Sequence, residues 1–182
     1  MKIAQTYFTD DEVVSDSPNS NYETRKSYSD IAASIDLAVN NFSLSSAAQF
    51  NPDTTKIVKK KNAIIYSLSS RKFISMSHTD EGLEETEKLS GAYPMWDSVH
   101  IFGGLERTTS AGIRTINSET VGMAYESCCW SLRLAHFKEE NGSGGHNHNT
   151  SMELVLTGLG STSSPLRNKI ESKIKGYSAK LR

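Results

Sequence analysis

The chain has 182 residues, 36% of them hydrophobic, a formal net charge of -1 and a mean hydropathy of -0.47. That is enough for one core of roughly 130–160 residues with flexible ends. No apolar run approaches the roughly 18 residues of a membrane-spanning helix, so nothing is expected to cross a bilayer. The small net charge conceals opposing blocks. Residues 56–76 carry six basic and no acidic side chains, residues 77–97 one basic and six acidic, and residues 165–182 six basic against Glu171 alone. Such blocks suit assembly between copies and contact with phosphates more than catalysis, and otherwise amount to a solvated surface.

In chain order, residues 1–7 read as a short strand without the apolar core of a signal peptide and without a myristoylation glycine, which points to a cytosol-like compartment. Residues 9–24 are acidic and rich in Ser and Asn, with Asp10, Asp11, Glu12 and Asp16. They have little to bury and read as an arm. A helix is expected next: Ser27 caps, Asp30 sits in the first turn, and Ile31, Ile35, Val39 and Phe42 form an apolar stripe. Asn51-Pro52-Asp53 marks a turn. Strands are expected at 57–58, 63–68 and 73–76, with Ser69-Ser70-Arg71-Lys72 turning between the last two. An acidic excursion over 79–88 suggests a helical turn or two near 83–89, and further strands are expected at 98–102 and 111–116. Residues 119–135 fit either period, and a hairpin between 129–137 and 151–158 is favoured. The Gly-rich stretch 141–149 reads as an exposed loop. Last comes a second helix, capped by Ser164 with Pro165 at its first position and Leu166, Ile170, Ile174 and Tyr177 on its buried face.

Little in the chain carries chemistry. His146 and His148 could supply two metal ligands, but His78, His100, His136 or the cysteines would have to complete the set and no spacing fixes them, so a solvated loop is the preferred reading. Cys128 and Cys129 are adjacent, where a disulfide needs a strained eight-membered ring, and they read as reduced packing residues. The Asn-x-Ser/Thr patterns at Asn41, Asn141 and Asn149 read as chance matches. There is no Gly-x-Ser-x-Gly elbow, Walker motif or GxGxxG, and no cofactor, metal or enzymatic activity is expected. Lys56, Lys59, Lys60, Lys61, Arg71 and Lys72, and then Lys169, Lys173 and Lys175, are the expected contacts for anionic lipid or a nucleic-acid backbone.

The run Ser27-Tyr28-Ser29-Asp30-Ile31-Ala32-Ala33-Ser34-Ile35 resembles the opening of the first helix in vesiculovirus matrix proteins of the rhabdovirus group. That resemblance implies an α+β fold, a small mostly antiparallel sheet flanked by two helices, with an arm at 1–24 and one domain at 25–182. It implies a virion component, also present in host cytoplasm and at the inner face of host membranes. Such a protein self-associates, here through Asp10, Asp11, Glu12 and Asp16, and partners viral nucleoprotein–RNA, an anionic membrane surface and a viral glycoprotein tail during assembly and budding. Two features depart from the animal members. The Pro-Pro-x-Tyr motif is missing and the arm is acidic, as a plant- or insect-infecting relative would allow. The alternatives are a nucleic-acid-binding viral accessory protein, and a small hydrolase or ligand-binding domain.

Overall fold

A computed structural model describes residues 1–5, 7–14, 24–69, 71–156 and 164–177. Twelve strands and one helix make up the described elements. Strands β1 (Lys2–Ala4), β4 (Ile31–Val39), β5 (Phe42–Asn51), β6 (Lys56–Ser69), β7 (Lys72–Asp80) and β8 (Glu84–Trp96) are followed by β9 (Val99–Ser110), β10 (Ile113–Glu126), β11 (Trp130–Glu140) and β12 (His146–Leu156). These ten form a single antiparallel sheet that runs in chain order from β4 to β12, with β1 beside β4. Strands β2 (Tyr7–Val14) and β3 (Thr24–Tyr28) pair with each other. Their pairing of Tyr7 with Tyr28 takes up the ladder that joins Lys2 to Ser34 and Ala4 to Ala32. The two strands thus prolong the β1–β4 ladder past the end of the sheet. The helix α1 (Pro165–Lys173) lies against one face.

The expected α+β fold with two flanking helices is overturned, because the first helix is strand. Ile31, Ile35 and Val39 are four residues apart, and a step of four is even, so it keeps one face of a strand as well as one face of a helix. Leu37 joins them on that face, and Ser34 and Asp36 take the other. Asn40, at φ 52, makes the turn that brings Phe42 opposite Val39. The acidic stretch 79–88 is likewise the end of β7, a turn at residues 81–83 and the start of β8. Residues 119–135, ambiguous in period, are β10, a turn and β11. The favoured hairpin is present, with Trp130 opposite Leu156 and Leu134 opposite Met152. Of the stretch read as an arm, residues 15–23 lie outside the described residues.

The two ends of the sheet differ. At one end the connections are tight: Asn40-Asn41, the link that leaves Ser69 paired with Lys72, Asp97-Ser98 and residues 127–129. At the other they run over residues 52–55, 81–83, 111–112 and 141–145, and the β2–β3 extension rises there. The Ala111-Gly112 turn, with φ of 50 and 80, has the two positive values of a type I′ hairpin turn.

The core lies on the face that holds α1. Phe73, Phe102, Ala124, Ala135 and Phe137 are buried there beneath Leu166, Ile170, Ile174 and Tyr177, the four residues expected on the helix's buried side. Gly122 makes room for this packing, since a Cβ there would lie 2.5 Å from the Phe102 ring and from the Leu134 carbonyl oxygen. We call this the inner face. On the outer face the same strands carry large apolar side chains with nothing over them among the described residues.

Candidate functional site

Alternation along each strand sorts chemistry between the two faces. On β8 the outward residues are Leu89, Gly91, Tyr93 and Met95, and the inward ones Lys88, Ser90 and Ala92. On β10, Val121, Met123 and Tyr125 point out, and Ser118, Thr120 and Ala124 point in. Directly opposed pairs continue the pattern from strand to strand: Tyr93, Ile101, Met123, Leu134 and Met152 form one outward row. Met123 is 45% exposed and Met152 72%. Along β8, Leu89 to Trp96 spans about 24 Å at about 3.4 Å per residue.

This apolar band ends in polar rows toward the longer connections. Asn62, His78, Glu87 and Arg107 follow it on β6 to β9, and Glu119, Lys138 and His148 on β10 to β12. Toward the tight turns it ends in aromatic side chains. Trp96, Tyr93 and Tyr66 are exposed there, and the Tyr125 and Trp130 rings stack with centroids 4.5 Å apart.

Beside the helix the inner face is polar and charged. A groove of about 500 Å³ runs beside α1, with Lys59, Lys61, Lys88, Glu106, Lys173 and Lys175 among its walls. Several of these charges are paired: Lys88 with Glu106 at 3.0 Å, Lys173 with Glu139 at 2.7 Å, and Lys59 with Glu81 at 2.6 Å.

At the tight-turn end a buried charge cluster fixes the start of the helix. Arg133 is 0% exposed. Its Nη1 lies 3.1 Å from Glu153 Oε2 and its Nη2 3.6 Å from Glu126 Oε1, while Glu126 also meets Arg71. Ser164, expected as a cap, has no side-chain capping bond to the helix. Its Oγ donates instead to Glu153 at 2.5 Å and accepts from Arg133 Nη1 at 3.4 Å. Past the helix, the Tyr177 hydroxyl sits 2.8 Å from His100 Nε2. Burial pushes the Tyr177 phenol well above its usual range. Arg133, Glu126 and Glu153 escaped the sequence reading, and His100, weighed there as a metal ligand, instead meets Tyr177; the period-two run Trp130, Leu132, Leu134, which places Arg133 opposite that apolar face, was the signal that could have found the arginine.

The basic residues singled out from sequence do not form one patch. Lys59 and Lys61 face inward with Ala63, and Lys60 faces outward opposite Asp80. Arg71 and Lys72 lie at the far end of β6 from Lys56, Lys59, Lys60 and Lys61. Lys72 Nζ stands 5.3 Å from the Tyr93 ring centre. Lys169 and Lys173 both reach Glu139. The acidic residues Asp10, Asp11 and Glu12 belong to β2, whose side chains are outside the described structure, as is Asp16.

Cys128 and Cys129 are free and exposed at the β10–β11 turn, so they are not packing residues; their sulfurs are 2.7 Å apart. The hydrogen bond between them lowers the Cys128 pKa and raises that of Cys129. Among the described residues no three metal-binding side chains come together. His146 and His148 are the start of β12, not loop.

No protein-family model matches the chain. It is similar to LPS-assembly proteins LptD of bacteria. That of Burkholderia lata is 26% identical over 186 residues, which cover 95% of this chain and 23% of the relative. That of Paraburkholderia xenovorans is 25% identical over 189 residues, 96% of this chain and 24% of the relative. For Idiomarina loihiensis the figures are 25% over 154 residues, 72% and 20%. The chain thus spans about a quarter or less of the length of the curated relatives it matches. These relatives overturn the rhabdovirus matrix reading, with its virion, host-cytoplasm and inner-membrane locations, its viral nucleoprotein–RNA and glycoprotein partners and its role in budding. The nine-residue likeness behind that reading falls at the end of β3 and on the first half of β4, not on a helix. The nucleic-acid-binding accessory protein and the hydrolase or ligand-binding domain gain no support either. The relatives are named for assembly, not for a reaction.

Proposed function

We infer that this chain supplies part of the wall of a transmembrane β-barrel that takes part in LPS assembly, and that it catalyses no reaction. The observation that carries the reading is the uncovered apolar band on the outer face of strands that alternate apolar-out and polar-in. Strands of nine to 14 residues and a band on the scale of about 25 Å suit a bacterial outer-membrane barrel. Aromatic residues at the tight-turn end suit one membrane–water interface. In such barrels the short turns face the periplasm and the longer connections face outward, which puts Cys128 and Cys129 on the periplasmic side. Lipid offers backbone groups no partner, so in this setting the edges β1 and β12 pair with further strands.

LPS is an amphiphile, and the two faces separate its two solvents: a polar, charged inner groove for sugar and phosphate, an apolar exterior for acyl chains. Two measurements test the reading. Trp96 and Trp130 in refolded, vesicle-bound chain should be quenched by lipids brominated near the headgroup more than by lipids brominated near the acyl terminus; a chain that stays in buffer with unquenched tryptophans refutes membrane insertion. A photoreactive residue at Ser77, on the inner face, should crosslink LPS in cells, and insertion without such crosslinks removes the assembly half of the reading.

A further inference from the structure

We propose that His136 and His148 form a two-imidazole site for a borderline divalent transition metal, Zn²⁺ or Cu²⁺, that staples β12 to β11. The pair sits on the outer face where the apolar band gives way to its polar rim. His136 lies opposite Thr150, and His148 opposite Lys138, so the histidines are diagonal neighbours across the ladder, within reach of each other. His136 Nε2 is 3.4 Å from His148 Nδ1, with ring centroids 5.6 Å apart.

That separation is long for a hydrogen bond and right for two ligands of one ion. Nitrogens about 2.0–2.1 Å from a tetrahedral Zn²⁺ stand about 3.3–3.4 Å from each other. The second ring nitrogen of His136 is already committed: Nδ1 is 2.8 Å from Thr150 Oγ1. With the Nδ1 proton donated to that hydroxyl, the Nε2 lone pair is left facing His148. A ligating histidine is held in this way by an outer partner on its other nitrogen. The nearest cation in the row, Lys138, is 3.0 Å from Glu119, which offsets its repulsion of a metal. Imidazole favours Zn²⁺, Cu²⁺ and Ni²⁺ over Mg²⁺ or Ca²⁺. No third metal-binding side chain is gathered here among the described residues, so water completes the shell.

The sequence pointed to His146 with His148; alternation puts these two on one strand face, but it is β11 that brings the partner. A bound ion would bridge β12, which among the described residues has a ladder to β11 alone, to that neighbour. The site stands apart from the assembly reading and holds or fails without it.

The test is metal titration of the untagged, detergent-refolded chain carrying Cys128→Ser and Cys129→Ser, so that thiols do not compete. Calorimetry with Zn²⁺ should show binding, and Cu²⁺ should give an electron paramagnetic resonance spectrum with two nitrogen ligands. Loss of an outer-shell partner commonly costs about 10–100-fold in affinity, so Thr150→Val should weaken binding about tenfold and His136→Ala or His148→Ala by more. His146→Ala should leave affinity within about twofold of the parent, against the larger losses expected of a ligand. Zn²⁺ should also slow amide exchange along residues 146–150. No binding to the parent, an unaffected His136→Ala, or a His146→Ala loss equal to that of His148→Ala would overturn the site.

Discussion

Met123 separates a membrane wall from a water-soluble sheet. Its side chain is 45% exposed and lies in the outward row between Ile101 and Leu134. In water, a change at such a surface position stays within about ±0.5 kcal/mol. At the midplane of a bilayer, Arg or Lys on the lipid face costs about 2–4 kcal/mol, falling to about 0–1 near the interface. Met123→Arg should therefore lower the stability of vesicle-embedded chain by about 2–4 kcal/mol, at least tenfold in the folding equilibrium at about 1.4 kcal/mol per decade. Thr109→Arg, on the same outer face at the rim near the Ala111-Gly112 turn, is the internal control and should cost less than about 1 kcal/mol. Both would be read by denaturant unfolding in phospholipid vesicles, followed through Trp96 and Trp130 fluorescence. Equal costs for the two substitutions would refute the lipid-facing assignment of the band.

Ile170 and Ile174 are both fully buried, so truncating either to Ala should cost about 2–5 kcal/mol, seen as earlier unfolding and faster proteolysis of the helix. Arg133→Met should cost about 3–5 kcal/mol, because it leaves the nearly buried Glu153 without a cation and Glu126 with Arg71 alone; restored stability in Arg133→Met with Glu153→Gln would confirm the cause. Cys128 should be alkylated before Cys129, since its pKa is lowered and the thiolate is the nucleophile. Its reaction with iodoacetamide should therefore rise at a pH below the ordinary thiol range, and a first adduct on Cys129 by mass spectrometry would contradict the shift.

How much of this was legible in the sequence depends on period. The C-terminal helix could be read because Pro165 starts it and the even positions between Leu166, Ile170 and Ile174 are the polar Asn168 and Ser172, which a strand would place on the same face. The β11–β12 hairpin could be read because Trp130, Leu132 and Leu134 face Met152, Leu154 and Leu156. The segment over 31–42 misled because its apolar steps of four satisfy both periods, and the middle residue, Leu37, decides between them. The membrane face was invisible for a different reason. Most strands contribute only a few outward apolar residues, separated for the most part by small or polar ones such as Ser75, Ser90, Gly122 and Arg133, so no long run forms and the mean hydropathy stays negative. A barrel strand's signal is weak one segment at a time. The charge blocks misled in a similar way. Blocks separated in sequence are neighbours in the sheet, and Lys59 meets Glu81 within the chain.

Helix α1 comes after the last described strand, and its berth is composed of side chains from β7 to β11: Phe73, Ala92, Phe102, Ala124, Ala135 and Phe137. No single hairpin offers that surface. A slip of one residue in the pairing of β11 would turn Arg133, Ala135 and Phe137 away from the helix and present Leu132, Leu134 and His136 in their place. The helix would then find neither its hydrophobic seat nor the guanidinium that receives Ser164. Docking is thus an inspection of strand alignment, performed by a segment that follows the strands it inspects and passed only by a correctly paired sheet.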